Sequence, residues 1–272
     1  MKNIKLHIIS TVICAVLLLT LQQTFAGEGE GDVKFGYTFI DEEGNLSTYQ
    51  ESYNLYEGFG VSFNDFRYVA DNGINFNADL DNTTLENRNL RFSTYKPGLF
   101  SISVNHNKYR RIYNPEGTNF TRRQTSGVQA KVMPSKNIKF FGGFNQTNKD
   151  GDNFQILSPV IDTSIYSTDY SHKTFNFGGQ GFCPYGNLRI EARSSDFSDE
   201  LDAANDRESN SINISAFSRI PNHRWITLAG GYNFRQDKIK ARTVELKTNQ
   251  IWSSTKIYFR KNNTFEYRIL FA

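Results

Sequence analysis

Beyond position 26, the residues able to make or break bonds are three histidines (His106, His172 and His223), the cysteine Cys183 and a scatter of serines. A hydrolase needs a serine, a histidine and an orienting Asn or Asp converging on one patch. Ser101, Ser103, Asn105 and His106 are neighbours in sequence. In a strand, however, successive side chains point to opposite sides, so His106 faces away from the other three. One cysteine makes neither a Cys-x-x-Cys-His haem attachment nor a thiolate zinc site. No Gly-rich loop followed by Lys and Ser/Thr cradles a phosphate. Gly142-Gly143 and Gly178-Gly179 interrupt alternating segments, where glycine relieves crowding or marks a bend. These patterns lead us to expect no enzymatic activity, no cofactor and no metal site.

A second set of residues carries charge rather than reactivity. Lys34, Arg91, Lys131, Lys139, Arg189, Arg193 and Arg268 are basic, while Asp79, Glu191 and Glu266 are acidic. Several fall at every second position, as in Arg189-x-Glu191-x-Arg193 and Glu266-x-Arg268, so each group lies on one side of a strand. Around an open channel, such an excess of cations biases passage toward anions. The same charges can instead pair across neighbouring strands and fill the interior.

The elements that position these residues are strands. Fourteen segments carry period-two alternation: 32–40, 58–70, 73–81, 87–95, 98–109, 122–133, 137–147, 168–182, 186–196, 208–219, 223–235, 238–248, 250–260 and 264–271. Val33, Phe35, Tyr37 and Phe39 oppose Lys34 and Thr38. Ile212, Ile214 and Ala216 oppose Ser211, Asn213 and Ser215. Phe265, Tyr267, Ile269 and Phe271 oppose Glu266, Arg268 and Leu270. In 58–70 the apolar phase shifts after Phe63 to Phe66 and Tyr68, which predicts a bulge near Asn64-Asp65.

Connections come in two lengths. Asp71-Asn72-Gly73, Lys96-Pro97-Gly98, Pro134-Ser135-Lys136-Asn137, Pro184-Tyr185-Gly186-Asn187 and Pro221-Asn222-His223 are tight turns. The segments 41–57, 110–123, 148–167 and 197–207 are long and polar. Short turns at one end and long loops at the other characterise outer-membrane β-barrels. An even strand count returns both termini to the short-turn, periplasmic side.

Composition fits this reading. Mean hydropathy is low, at −0.54. Yet the chain has 23 Phe and 14 Tyr. A lipid-facing barrel needs apolar residues only at alternate positions, and uses aromatics as girdles at the interfaces. The first 26 residues, with Lys2 and Lys5 before an apolar stretch and Thr24-Phe25-Ala26 at its end, read as a cleaved signal peptide. Its removal leaves 29 basic and 28 acidic residues, a balance that excludes a nucleic-acid binder built on a basic patch. Residues 27–272 then form one barrel domain. Thr264 to Phe271, with aromatics at Phe265, Tyr267 and Phe271, resembles the C-terminal strand by which bacterial outer-membrane proteins are recognised for insertion.

Residues 31–147 carry a further resemblance. Gly31-Asp32-Val33-Lys34-Phe35-Gly36-Tyr37 opens a first strand, and Tyr49-Gln50-Glu51-Ser52-Tyr53-Asn54-Leu55-Tyr56-Glu57-Gly58 follows. Tyr109-Arg110-Arg111-Ile112-Tyr113 and the Met133-Pro134-Ser135-Lys136-Asn137-Ile138-Lys139 turn complete it. This segment is similar to the MtrB/PioB-type barrels of porin–cytochrome complexes. Members of that family are much longer, and some carry an early Cys-x-x-Cys that this chain lacks. The resemblance implies a barrel that sheathes a multihaem c-type cytochrome in extracellular electron transfer and itself binds no electron carrier covalently.

The sequence thus points to an all-β, transmembrane, antiparallel up-and-down β-barrel of about fourteen strands in the cell outer membrane. The expected function is that of a non-enzymatic porin-like or scaffold barrel in contact with outer-membrane lipid, with the cytochrome sheath as its more specific form. The alternative is a soluble or surface-attached secreted β-protein that binds a partner through its loops.

Overall fold

The computed structural model describes residues 27–40, 56–114, 117–154, 165–220, 223–242, 244–260 and 263–271. The signal-peptide segment, most of the 41–57 loop and the centre of the 148–167 loop lie outside them.

Thirteen strands follow one another as hydrogen-bonded neighbours in sequence order. They are β1 (Gly27–Thr38), β2 (Gly58–Ala70), β3 (Asn75–Asp81), β4 (Asn89–Lys96), β5 (Phe100–Ile112), β6 (Phe120–Ser135) and β7 (Ile138–Phe154). Then come β8 (Ile165–Cys183), β9 (Gly186–Asp199), β10 (Arg207–Ile220), β11 (His223–Ile239), β12 (Val244–Arg260) and β13 (Asn263–Phe271). The fold class is the expected one: all-β, antiparallel and up-and-down. Two short 3₁₀ turns, Ala203–Asn205 and Lys240–Arg242, interrupt the β9–β10 and β11–β12 connections.

Among the described residues there are thirteen strands and no fourteenth. Lys240–Arg242 turns the chain after β11, and β12 runs unbroken from Val244 to Arg260, joining most of 238–248 to 250–260. No Gly or Pro stands at 248–250 to turn the chain. There Asn249 and Gln250 pair with Phe234 and Asn233 as ordinary ladder residues. Since each strand reverses its predecessor, thirteen leave the last running as the first does. The even count that returned both termini to one side is lost.

The tight turns form where their residues demand them. Gly73 and Gly98 both take positive φ, 77° and 75°. That region is sterically closed to most side chains. Ile74 N donates to Asn72 Oδ1 across the first of these turns (3.1 Å). At the other end several strands outlast the alternation: β5 reaches Ile112, β7 reaches Phe154 and β9 reaches Asp199. Their outer stretches mix polar residues with single apolar ones, such as the buried Ile112, which erases the hydrophobic period but leaves the backbone ladder intact.

The described chain divides into two compact units. One comprises the described residues of Met1–Pro97, Ser101–Ser126 and Lys149–Thr168; the other those of Gly98–Phe100, Gly127–Asn148 and Asp169–Ala272. In the first, Phe35 pairs with Val61 and Tyr37 with Phe59, so β1 and β2 share an apolar face. The bulge lies where the phase break predicts it: Asp65 takes φ 52°, and the β2–β3 register slips between Phe63 and Phe66. In the second, Phe177, Ala192, Ile212 and Phe234 form one apolar row across β8–β11. Gly179, Ile190, Ile214, Tyr232, Ile251 and Phe271 form the next, across β8–β13. Cys183 is exposed at the turn end of β8.

Candidate functional site

The apolar face is not a core. Among the described residues only Val61, Ala78 and Ile112 are buried hydrophobics, while Phe35, Phe175, Phe177, Tyr267 and Phe271 stand more than half exposed. A water-soluble monomer rarely shows contiguous apolar surface on that scale. In the second unit the face is dented between Ile138, Phe140, Phe177, Leu188 and Ile190, leaving a depression of about 280 Å³ with Gly179 and Gly181 in its lining. Tyr232 belongs to this face, and its hydroxyl donates to Asn249 Oδ1 (2.7 Å). A ring on apolar surface with its hydroxyl turned to a polar group suits a membrane interface.

The opposite face is mainly polar, with Phe141 and Trp252 among its apolar members. In the second unit one row reads Asn176, Arg193, Ser211, Arg235; the next reads Gly178, Glu191, Asn213, Asn233, Gln250. Arg189 donates to Glu191 Oε2 (2.6 Å) and Arg268 to Glu266 Oε1 (2.8 Å). Arg189 also lies over the Phe141 ring, 4.5 Å from its centroid, and Lys139 lies 5.9 Å from the same centroid. That ring needs Gly178, where an added Cβ would come 2.6 Å from Phe141 Cζ, so this glycine relieves crowding rather than binding phosphate. Lys131 alternates with Gln129, which packs beside the Gly143 position on this same face.

In the first unit Asp79 stands opposite Arg91 and accepts from the bulge amide of Asp65 (3.0 Å). With its amide oriented to satisfy both neighbours, Asn64 accepts from Lys34 Nζ (2.9 Å) and donates to Asp81 (3.0 Å). Asp79 and Arg91 line a polar depression of about 430 Å³ together with Arg67, Asn77, Ser93, Ser103 and Asn105. All ten charges singled out from sequence therefore lie opposite the apolar set. Further cations on that side were missed, among them Arg67, Arg235 and Lys256. Arg67 is turned there by the bulge, whose phase break was the available signal. Arg235 and Lys256 are seen through the register alone, opposite Ser211 and Glu266.

The histidines correct one expectation. Ser103 and Asn105 do face away from His106, but β6 supplies another serine: His106 Nδ1 lies 2.9 Å from Ser126 Oγ. Arg88 Nε donates to His106 Nε2 (3.1 Å), so the neutral ring carries its proton on Nδ1 and donates it to Ser126. In the second unit His172 Nε2 lies 2.7 Å from Ser195 Oγ, and no such donor fixes its tautomer among the described residues. His223 packs edge-on against Trp225. With its proton on Nδ1 and Nε2 occupied by Arg88, His106 cannot take a proton from Ser126. His172 and Ser195 have no such block, and a Ser–His pair is the elementary unit of nucleophilic hydrolysis. The expectation of no enzymatic activity rested on there being no such pair, and it does not stand.

Among the described residues no group of three His, Cys, Asp or Glu side chains is placed to hold a metal ion. No helix among them is long and apolar enough to cross a membrane, which bears on helices alone.

No protein-family model matches the chain, and no curated protein does. Two solved structures are similar to it. One is a loop L8 deletion mutant of OmpT, an outer membrane protein of Vibrio cholerae, at 8% identity and TM-score 0.42, covering 89% of this chain and 94% of that one. The other is in-vitro folded OmpT from the same organism in its trimer form, at 10% identity and TM-score 0.44, covering 90% of this chain and 89% of that one. Likenesses this distant say nothing about activity.

Proposed function

We propose that the chain is an outer-membrane β-barrel wall: its apolar face meets lipid and its polar face lines an aqueous interior, porin-like or scaffolding. One observation carries this. The same strands that expose Phe177, Ile190, Ile212 and Phe265 on one face place Arg189, Glu191, Arg193, Glu266 and Arg268 on the other. In water that apolar face is a liability; in a bilayer it is the required surface. From β2 to β12 each strand is paired on both sides, as a hydrocarbon environment demands of the backbone.

The interior favours anions. Glu191 and Glu266 are paired, and Asp79 stands opposite Arg91. Of the ten charges this leaves Lys34, Lys131, Lys139 and Arg193 as the surplus. Heat-modifiable migration on a gel and an anion-preferring conductance in a planar bilayer are the expected results. A protein that extracts without detergent and conducts nothing would sink the reading.

The sheath for a multihaem cytochrome is the narrower form of the same proposal. It rests on the resemblance of residues 31–147. Barrel diameter grows with strand number, so thirteen strands leave less room for a partner than a longer relative does. Co-purification of a haem-staining partner tests it; ordinary pore conductance from a partner-free preparation would count against it.

A further inference from the structure

In the second unit, β8, β9 and β10 bring a hydroxyl, an imidazole and a guanidinium onto one patch of the polar face. Ser195 stands in register between Thr174 and Ser209, and Phe197, two residues on, stands between His172 and Arg207. Residues two apart on a strand share a face, as do partners in register, so all of these point the same way. His172 therefore lies diagonally to one side of Ser195 and Arg207 diagonally to the other, a separation that long side chains span. On the first side the gap is closed, with His172 Nε2 2.7 Å from Ser195 Oγ. His172 and Ser195 are half-buried and Arg207 is exposed, so water and a solute reach the patch.

Each type has a part in acyl transfer. A histidine with Nε2 unprotonated takes the proton of a serine hydroxyl as the oxygen attacks a carbonyl carbon. A guanidinium on the far side of that serine meets the negative charge that develops on the carbonyl oxygen. Next to the pair, Tyr170 and Phe197 pack ring against ring, 5.1 Å between centroids, and Phe197 also packs against His172 at 6.3 Å. These rings steady the imidazole and form an apolar seat for the group carried by the carbonyl. Among the described residues no carboxylate is bonded to His172. Losing that carboxylate costs a Ser–His–Asp hydrolase about 10⁴ in kcat. The arrangement therefore suits an ester, whose alcohol leaves far more readily than the amine of an amide.

We propose that Ser195, His172 and Arg207 form an esterase site for carboxylic esters with an apolar acyl group. Ser195 Oγ bonds to the ester carbonyl carbon while its proton passes to His172 Nε2. The bond from that carbon to the alcohol oxygen then breaks, and the alcohol leaves with the proton. Water repeats the sequence on the acylated serine: it gives a proton to His172, and its oxygen bonds to the acyl carbon. The acyl–Ser195 bond breaks as Ser195 recovers the proton. The products are a carboxylic acid and an alcohol, and nothing is oxidised or reduced. The patch is open to water whether or not the opposite face meets lipid, so the inference goes beyond the barrel reading and does not depend on it.

The test uses the full chain folded in detergent micelles, with heat-modifiable migration run on every sample. Hydrolysis of para-nitrophenyl butyrate reads turnover. A fluorophosphonate, which an activated serine attacks at phosphorus with loss of fluoride, reads the nucleophile by peptide mass spectrometry. The native chain should carry the label on Ser195 and should hydrolyse the ester about 10²-fold faster than Ser195→Ala or His172→Gln. Arg207→Gln should cost kcat about tenfold with KM little changed, less than an enclosed oxyanion donor because the group is exposed. Arg207→Lys should recover part of that loss. A gel-shifting native chain that takes no label and is no faster than Ser195→Ala would overturn the inference and leave the barrel standing. A label on another serine, or His172→Gln as fast as the native chain, would overturn it equally. Should Ser195→Ala lose its gel shift, the position of the label on the native chain decides. Labelled Ser195 in a native chain without a gel shift would support the site and count against the barrel.

Discussion

The outer ends of the two units carry charge in opposite styles. In the first, Glu86 pairs with Lys108, while Arg110 and Arg122 stack over the Tyr56 and Phe120 rings. In the second, the same face of β9–β12 and its turn holds Asp196, Glu208 and Glu245 against Lys238, Lys240 and Lys247. Lys240 pairs with Asp196 (2.8 Å) and Lys247 with Glu245 (2.9 Å). Lys238 stands in register with Glu208 on one side and Glu245 on the other. One rim pairs its charges along and across neighbouring strands; the other also lays cations over aromatic rings.

The largest effect should come from asking where rim gives way to lipid-facing band. Arginine at Ile214 should cost about 2–4 kcal/mol, and the same residue at Asn210, two steps higher on that face, about 0–1 kcal/mol. Denaturation of the folded protein from bilayers reads both. Equal costs would erase the boundary on which the comparison depends.

Next is the cationic rim's internal pair. The Glu86 carboxyl is held down in the folded chain, so its contribution is complete above the ordinary carboxylate value. It is lost as pH falls through the lowered folded value. Glu86→Gln should flatten the acid limb of the stability curve by less than ~1 kcal/mol, because the pair is partly solvated. An unchanged limb would show that Lys108 gains nothing from Glu86.

The smallest effect belongs to the balanced rim. Hydrogen bonding to Asp196 holds the Lys240 ammonium above its ordinary value. Its contribution is full below the unfolded value and disappears only as pH rises through the higher folded one. Lys240→Gln should cost a few tenths of a kcal/mol near neutrality, as exposed pairs do. A larger loss in the same denaturation measurement would mean that the Lys240–Asp196 pair is shielded from water.

Much of this was legible in the sequence. Ile212, Ile214 and Ala216 declared their face because an apolar side and a polar side write a period of two. The Phe63-to-Phe66 phase break located the bulge, since a displaced residue must shift every later side chain. The outer halves of β5 and β7 were illegible for the complementary reason: polar residues outnumber apolar ones at both parities there, and no period remains to read. The break within 238–260 was misplaced between Thr248 and Gln250, while a 3₁₀ turn at Lys240–Arg242 did the turning. The His106–Ser126 pair depends on register between strands 20 residues apart, which periodicity along one strand does not encode.

The exposed thiol of Cys183 gives the barrel reading a built-in marker of sidedness. It sits where β8 reaches the short turn to β9, and the other cysteine, Cys14, lies outside the described residues. A maleimide that cannot cross the outer membrane would leave this thiol unlabelled on intact cells and modify it once the envelope is opened. The chain therefore carries, without any engineering, a chemical tag on the end that should never see the outside world.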